Sequence, residues 1–156
     1  MGHIRIVTRI QAPSERCFDL ARSIELHMRS TATTSERAIA GVTTGLIGFG
    51  QDVTWRAKHF GMWQQLTSRI TAYDRPMHFK DSMVRGVFKR FDHDHEFSQE
   101  GAETVMIDRL TYQTSCGLAG RAVERLFLTR YLRQFLTARA ETIRRVAESQ
   151  EWMAYL

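Results

Sequence analysis

Ile4, Ile6, Thr8 and Ile10 recur at every second position, with Arg5, Val7 and Arg9 between them, and this period of two predicts a strand. Pro13-Ser14 opens a short helix running to Ala21, because proline suits a helix's first turn and serine caps it. Residues 23–29 fit a second short helix, and Arg37 to Val42 reads as a brief strand. Gly41, Gly45, Gly48 and Gly50 then punctuate a connection. Five strands follow in series: Asp52–Phe60, Trp63–Tyr73, Met77–Arg85, Phe88–Ser98 and Glu103–Thr114. Their links are only two to four residues long, which favours antiparallel hairpins and a meander.

The period changes to that of a helix at Leu118 and holds to about Ser149. Phe127, Leu128, Tyr131, Leu132, Phe135, Leu136, Ile143 and Val146 fall on one broad stripe. A stripe that wide must be covered, and the sheet is the only partner large enough. The pattern therefore predicts one α+β domain over residues 1–149. Its antiparallel sheet of seven strands wraps around a long C-terminal helix, with two short helices after the first strand. Residues 150–156 form a tail whose Trp152, Tyr155 and Leu156 either pack on the domain, mediate self-association or fray.

Composition narrows the class. The chain has 156 residues, 43% hydrophobic and 25% charged, ordinary for a fold with a real core. No run of eighteen apolar residues occurs, so no integral membrane association is expected. The start lacks the long apolar stretch of a signal peptide and the residue at position 6 that myristoylation requires. Cys17 and Cys116 make no disulfide framework and match no metal-ligand spacing, so the expected location is the cytoplasm. Cys116 also sits in no nucleophile motif. The net charge is +5, and residues 118–149 account for most of it, with seven arginines against three glutamates. That surplus is the size of a solvated helix face, and nucleic-acid binding is not expected.

Alternation also sorts the polar residues. Phe91, His93, His95 and Phe97 share one strand face, and Asp92, Asp94 and Glu96 take the other, so both histidines point inward. Trp55, Ala57 and His59 share a face with Val53, while Asp108 sits among Met106, Leu110 and Tyr112. Trp55 and Trp63 read as core or cavity wall, and Met28, Met62, Met77, Met83 and Met106 as core filler. Arg139 lies within the helix's apolar stripe. It either anchors a ligand carboxylate or Asp108 inside the fold, or packs its stem and sends the guanidinium to water.

The element order, with Thr54-Trp55-Arg56-Ala57-Lys58-His59-Phe60-Gly61, Leu66-Thr67-Ser68-Arg69-Ile70, Phe91-Asp92-His93-Asp94-His95-Glu96-Phe97 and Asp108-Arg109-Leu110-Thr111-Tyr112, resembles the START-like, helix-grip (SRPBCC) superfamily. More narrowly, it resembles the polyketide cyclase/dehydrase-like branch. The resemblance runs from His3 to about Val146. It implies a deep cavity between the curved sheet and the last helix, and an apolar ligand of lipid, polyketide or aromatic type. It also implies that Gly41–Gly50 is the glycine-rich loop at the cavity mouth. A strongly curved sheet cannot follow a straight helix along its whole length, so the gap is filled by large side chains or left for a ligand.

The expected lining is then Trp55, His59, Phe91, His93, His95, Met106, Asp108, Tyr112, Tyr131, Phe135 and Arg139. Three readings remain open. The first is a binding module for a hydrophobic small molecule. The second is a cyclase or dehydratase in which His59, His93 or His95 carries protons and Asp108 orients them. The third is an interaction domain, such as a homodimer built on the first strand's edge or the tail. His93-x-His95 with His59 and Asp108 is a weak metal pattern, because the last two lie on other strands. No metal and no cofactor are assigned.

Overall fold

A computed structural model describes residues 1–114 and 127–156. The strands are β1 (Gly2–Ile10), β2 (Arg37–Gly41), β3 (Asp52–His59), β4 (Met62–Asp74), β5 (His78–Arg85), β6 (Phe88–Glu100) and β7 (Glu103–Thr114). The helices are α1 (Ser14–Ala21), α2 (Ile24–Ser30) and α3 (Thr129–Ala147), with short 3-10 turns at Ala32–Thr34 and Gln150–Ala154. Every strand pair is antiparallel, and the spatial order is β1-β7-β6-β5-β4-β3-β2. The result is a curved sheet of seven strands with a long helix against its concave face.

Burial follows the pleat. On β1 the buried positions are Ile4, Thr8 and Ile10, and on β7 they include Met106, Asp108, Leu110 and Tyr112. Chain reversal between β3 and β4 uses Phe60 and Gly61, both with positive φ, as the tight hairpin turn requires. At the end of β2, Gly41 has φ +72°, and an added Cβ would meet the Asp52 carbonyl, so only glycine fits there. The loop from Gly41 to Gly50 is tied down rather than loose. Ile24 N donates to Gly45 O, Ile47 N donates to Arg22 O, and the Ile47 side chain is buried.

Several local expectations change. Pro13, not Ser14, is the N-cap of α1; Ser14 is the first helical residue, and its N–H donates to Gln99 Oε1 at 2.8 Å. Trp63 is not core. Leu66, Ser68 and Ile70 turn inward on β4, which puts Trp63 on the convex face, where the Arg56 guanidinium sits 4.4 Å from its ring centre. Met62 and Met77 are likewise exposed, whereas Met106 is fully buried. Phe127, expected on the apolar stripe, is 72% exposed. The stretch of helix expected before residue 127, and Cys116 with it, lies outside the described residues. The tail packs on the domain: Trp152 and Tyr155 lie against the core, with Arg16 stacked over the Trp152 ring and Arg29 bonded to Glu151 and the Tyr155 hydroxyl. Among the described residues, no helix is long and apolar enough to cross a membrane.

Candidate functional site

The concave face is covered unevenly. At one end α1 and the second half of α3 close it, and Phe18 makes edge contacts with Tyr73, Phe79 and Phe97. At the other end the cover among the described residues is the first half of α3, with α2 at its side, and a cavity of about 330 Å³ remains. Its wall is mostly apolar and aromatic. Trp55, Ala57, Leu66 and Phe91 come from the sheet, Leu132 and Phe135 from α3, and Ile47 from the glycine-rich loop.

Of the residues expected to line such a cavity, Trp55, His59, Phe91, His93, Tyr131, Phe135 and Arg139 do so. His95, Met106, Asp108 and Tyr112 share the concave face but stand behind the wall. Alternation assigns a face; it does not say which part of that face a helix seals. Met106 belongs to the closed core with Phe18 and Phe97, and the Tyr112 hydroxyl pairs with Thr129 Oγ1. His95 lies with its ring stacked on Phe79, 4.2 Å between centroids.

Three polar groupings interrupt the apolar wall. His59 Nδ1 and the Tyr131 hydroxyl share a hydrogen bond of 2.6 Å. Burial pushes the His59 imidazole below its ordinary pKa and the Tyr131 hydroxyl above its own. His27 is stacked on Trp55 at 4.0 Å and meets Glu36 through Nε2 at 3.0 Å. Burial lowers the His27 pKa despite the opposing pull of Glu36. On Glu36 itself burial acts upward, but the charge and hydrogen bond of His27 prevail and lower it.

The third grouping crosses β5, β6 and β7. Asp81 pairs across strands with His93, and His95 with Asp108, so the two imidazoles stand in line between two carboxylates. His93 Nε2 lies 3.1 Å from Asp108 Oδ1, and His95 Nε2 lies 3.2 Å from Asp81 Oδ2. His95 Nδ1 is 2.7 Å from Asp108 Oδ1 but is misaligned for a hydrogen bond. Burial and the neighbouring His95 lower the His93 pKa. On His95 burial acts downward, but the close contacts with Asp108 and Asp81 outweigh it and raise the imidazole. Burial alone would raise both aspartates; contacts with the two imidazoles instead hold both below the usual carboxylate range.

Arg139 is buried, not turned to bulk water. Its guanidinium donates to Ala21 O at 2.8 Å and borders the cavity, and among the described residues no carboxylate forms an ion pair with it. Among the lining residues missed in the sequence are Asp81, His27 and Glu36. Asp81 carries the same alternation signal as Asp108, since it shares a strand face with the buried Phe79. His27 and Glu36 carried no such signal, because a short helix and a connecting segment place them. One set within this wall has metal-ligand character. Asp81, His93 and His95 each offer one atom, and the three atoms lie within 4.8 Å of one another.

No family model matches the chain, and no curated protein matches its sequence. Solved structures do match its fold. An aromatase/cyclase from Streptomyces superposes with a TM-score of 0.74 at 14% identity, covering 94% of this chain and 93% of that one. A Thermus thermophilus protein gives 0.71 at 20% identity, over 91% and 97%. The ginseng major latex-like protein 151 from Panax ginseng gives 0.68 at 17%, over 95% and 98%. These likenesses are of fold: like the structures it superposes on, the chain carries the helix-grip fold, a curved antiparallel sheet against a long C-terminal helix.

Proposed function

We propose that this protein binds an apolar or amphipathic small molecule of lipid, polyketide or aromatic type in the hollow beneath α3. The observation that carries the reading is the cavity itself. It holds about 330 Å³ in a wall of aromatic and aliphatic side chains, with a few polar groups converging on it. Apolar surface left facing a hollow of that size is costly in water, and an apolar ligand recovers the cost. The fold shared with a Streptomyces aromatase/cyclase supports a ligand of this class.

The test is titration with an apolar fluorophore such as N-phenyl-1-naphthylamine, read against the Ala57→Phe variant. Ala57 lines the cavity with its own surface almost entirely buried, so a phenyl ring there fills the hollow. Saturable binding of one probe per chain, lost in A57F while the melting temperature holds, is the expected result. Binding that is absent, or equal in both proteins, overturns the reading.

A cyclase or dehydratase is the second reading. It is favoured by one observation: the His93 ring borders the cavity, and Asp108 behind it accepts a hydrogen bond at 3.1 Å. His93 would carry the proton and Asp108 would fix its ring. Loss of turnover with retained binding in His93→Gln supports this reading once a ligand is in hand; unchanged turnover removes His93 from it.

A further inference from the structure

We infer that Asp81, His93 and His95 form a binding site for one divalent first-row transition ion, with an open coordination position facing the cavity. The donors are those such an ion takes, two imidazoles and one carboxylate. His95 Nε2 and His93 Nδ1 lie 3.2 and 3.9 Å from the same oxygen, Asp81 Oδ2. An ion bonded at about 2.0–2.2 Å to each of three ligands holds them roughly 3–3.6 Å apart, so modest side-chain rotations suffice. Adjacent strands supply all three residues, which keeps the site on rigid backbone.

The surroundings match as well as the ligands. In a metal site, an imidazole usually hands its second nitrogen to a carboxylate or carbonyl that fixes the ring. Here the second nitrogens of both rings, His93 Nε2 and His95 Nδ1, approach the same Asp108 Oδ1, at 3.1 and 2.7 Å. Asp108 would thus orient both ligands from behind. His95 is fully buried, yet its Nδ1, although 2.7 Å from Asp108 Oδ1, is not aligned for a hydrogen bond to any described residue. A small turn of that ring toward an ion would bring Nδ1 into line with Asp108 and satisfy it.

Charge points the same way. Glu36, Asp81 and Asp108 bring three carboxylates into or behind the wall, while Arg139 is the cation that faces them without an ion pair of its own. Arg22, also on the wall, is already engaged by Asp19 at 2.8 Å. Among the described residues, and with the imidazoles neutral, the carboxylates at this wall outnumber Arg139 by two where burial makes excess charge expensive, and a dication balances them. Access comes from the cavity. The Asp81 side chain is 19% exposed, and both Asp81 and His93 border the hollow, so the fourth position opens onto any ligand bound there.

The probes are zinc, titrated calorimetrically into chelator-treated protein, and cobalt(II), followed by its visible absorption. We expect one ion per chain. Asp81→Asn and His93→Gln should each weaken binding at least tenfold, and Asp108→Asn by about 10–100-fold, as for other groups behind a metal ligand. The double variant His3→Gln/His78→Gln, which removes imidazoles outside the cavity, should bind like the parent. X-ray absorption of the zinc-loaded parent should show two imidazoles among nitrogen and oxygen neighbours, and this readout needs no variant to fold. Absent stoichiometric binding, unchanged affinity in D81N and H93Q, loss in the double variant, or fewer than two imidazoles at zinc each overturns the site. Metal binding is read without apolar ligand, and fluorophore binding without metal, so each proposal can fail alone.

Discussion

Under α1 the concave face of the sheet is packed solid, whereas beneath the first half of α3 the same face is hollow. The strands are continuous from one region to the other, and both faces are apolar. What differs is the cover. In the closed region Phe18 inserts from α1 among Tyr73, Phe79 and Phe97, and Ala140, Ile143 and Val146 of α3 complete a core with almost no exposed surface. In the hollow region the cover among the described residues is the first half of α3 with α2 at its side; Tyr131 and Phe135 meet His59 edge-on and line the hollow together with Trp55. A single straight helix cannot follow a twisted, coiled sheet, so the second layer of short helices decides where the hollow ends. The polar residues follow this division. His27, Glu36, Asp81, His93 and Arg139 all border the hollow, while among its buried residues the closed core is almost wholly apolar.

Deleting a ring in each region gives the largest contrast. Phe18→Ala removes a fully buried ring from a packed core, and a loss of about 3–5 kcal/mol is expected, transfer and cavity costs together. Phe135→Ala trims a half-buried ring whose neighbour is already empty, so about 1 kcal/mol is expected, near the transfer cost alone. Urea unfolding of both variants measures the difference. Equal losses would mean that the hollow is packed in solution and the distinction between the two regions is false.

Adding atoms reverses the contrast on a smaller scale. Ala140→Leu forces a side chain into the closed core and should cost about 1–3 kcal/mol. Ala57→Leu puts the same atoms into empty space and should cost less than about 1 kcal/mol, or stabilise. The melting temperatures of the two variants, set against the parent's, check the expectation; a larger drop for A57L would contradict it.

The sequence reveals faces better than depths. Period-two runs located every strand within a few residues, because each has one face against the core and one against water. The same runs placed His93 and Asp108 inward for sound reasons. They could not separate His93, which borders the hollow, from His95, two residues on, because α1 and α3 set that boundary and neither belongs to the strand. Trp63 shows parity set aside for residue type: with Leu66 and Ile70 facing in, an odd-numbered tryptophan on β4 must face out. Asp81 was legible from Phe79 beside it, yet its partners follow from the pairing of β5 with β6, and bulges between Thr67 and Ala72 shift β5's register on its other side. His27 and Glu36 depended on where α2 and the following segment docked, which no local pattern encodes.

The smallest expected effect sharpens the comparison through pH. His27 and Glu36 face each other at the rim of the hollow, with Trp55 stacked on the imidazole and Arg139 and Asp81 acting on it at longer range. Burial holds His27 below its ordinary pKa of 6.5, so below that pH the unfolded chain binds the proton more readily than the folded one. Stability therefore falls as pH drops from 6.5 toward the depressed folded value. Glu36, held below its ordinary 4.5, adds a second loss below that pH, when the folded carboxylate must finally take a proton. Each group alone contributes a slope no steeper than about 1.4 kcal/mol per pH unit, the limit for one proton. His27→Gln keeps a donor for Glu36 and removes the titrating ring, so its stability between pH 6.5 and 5 should fall less steeply than the parent's, measured by urea unfolding at each pH. Arg16 and Glu148, at the closed end, offer no comparable buried imidazole, so an Arg16→Gln variant should track the parent's slope over the same range. An H27Q slope identical to the parent's would mean that water reaches His27 freely and that the rim of the hollow is open rather than sealed by Trp55.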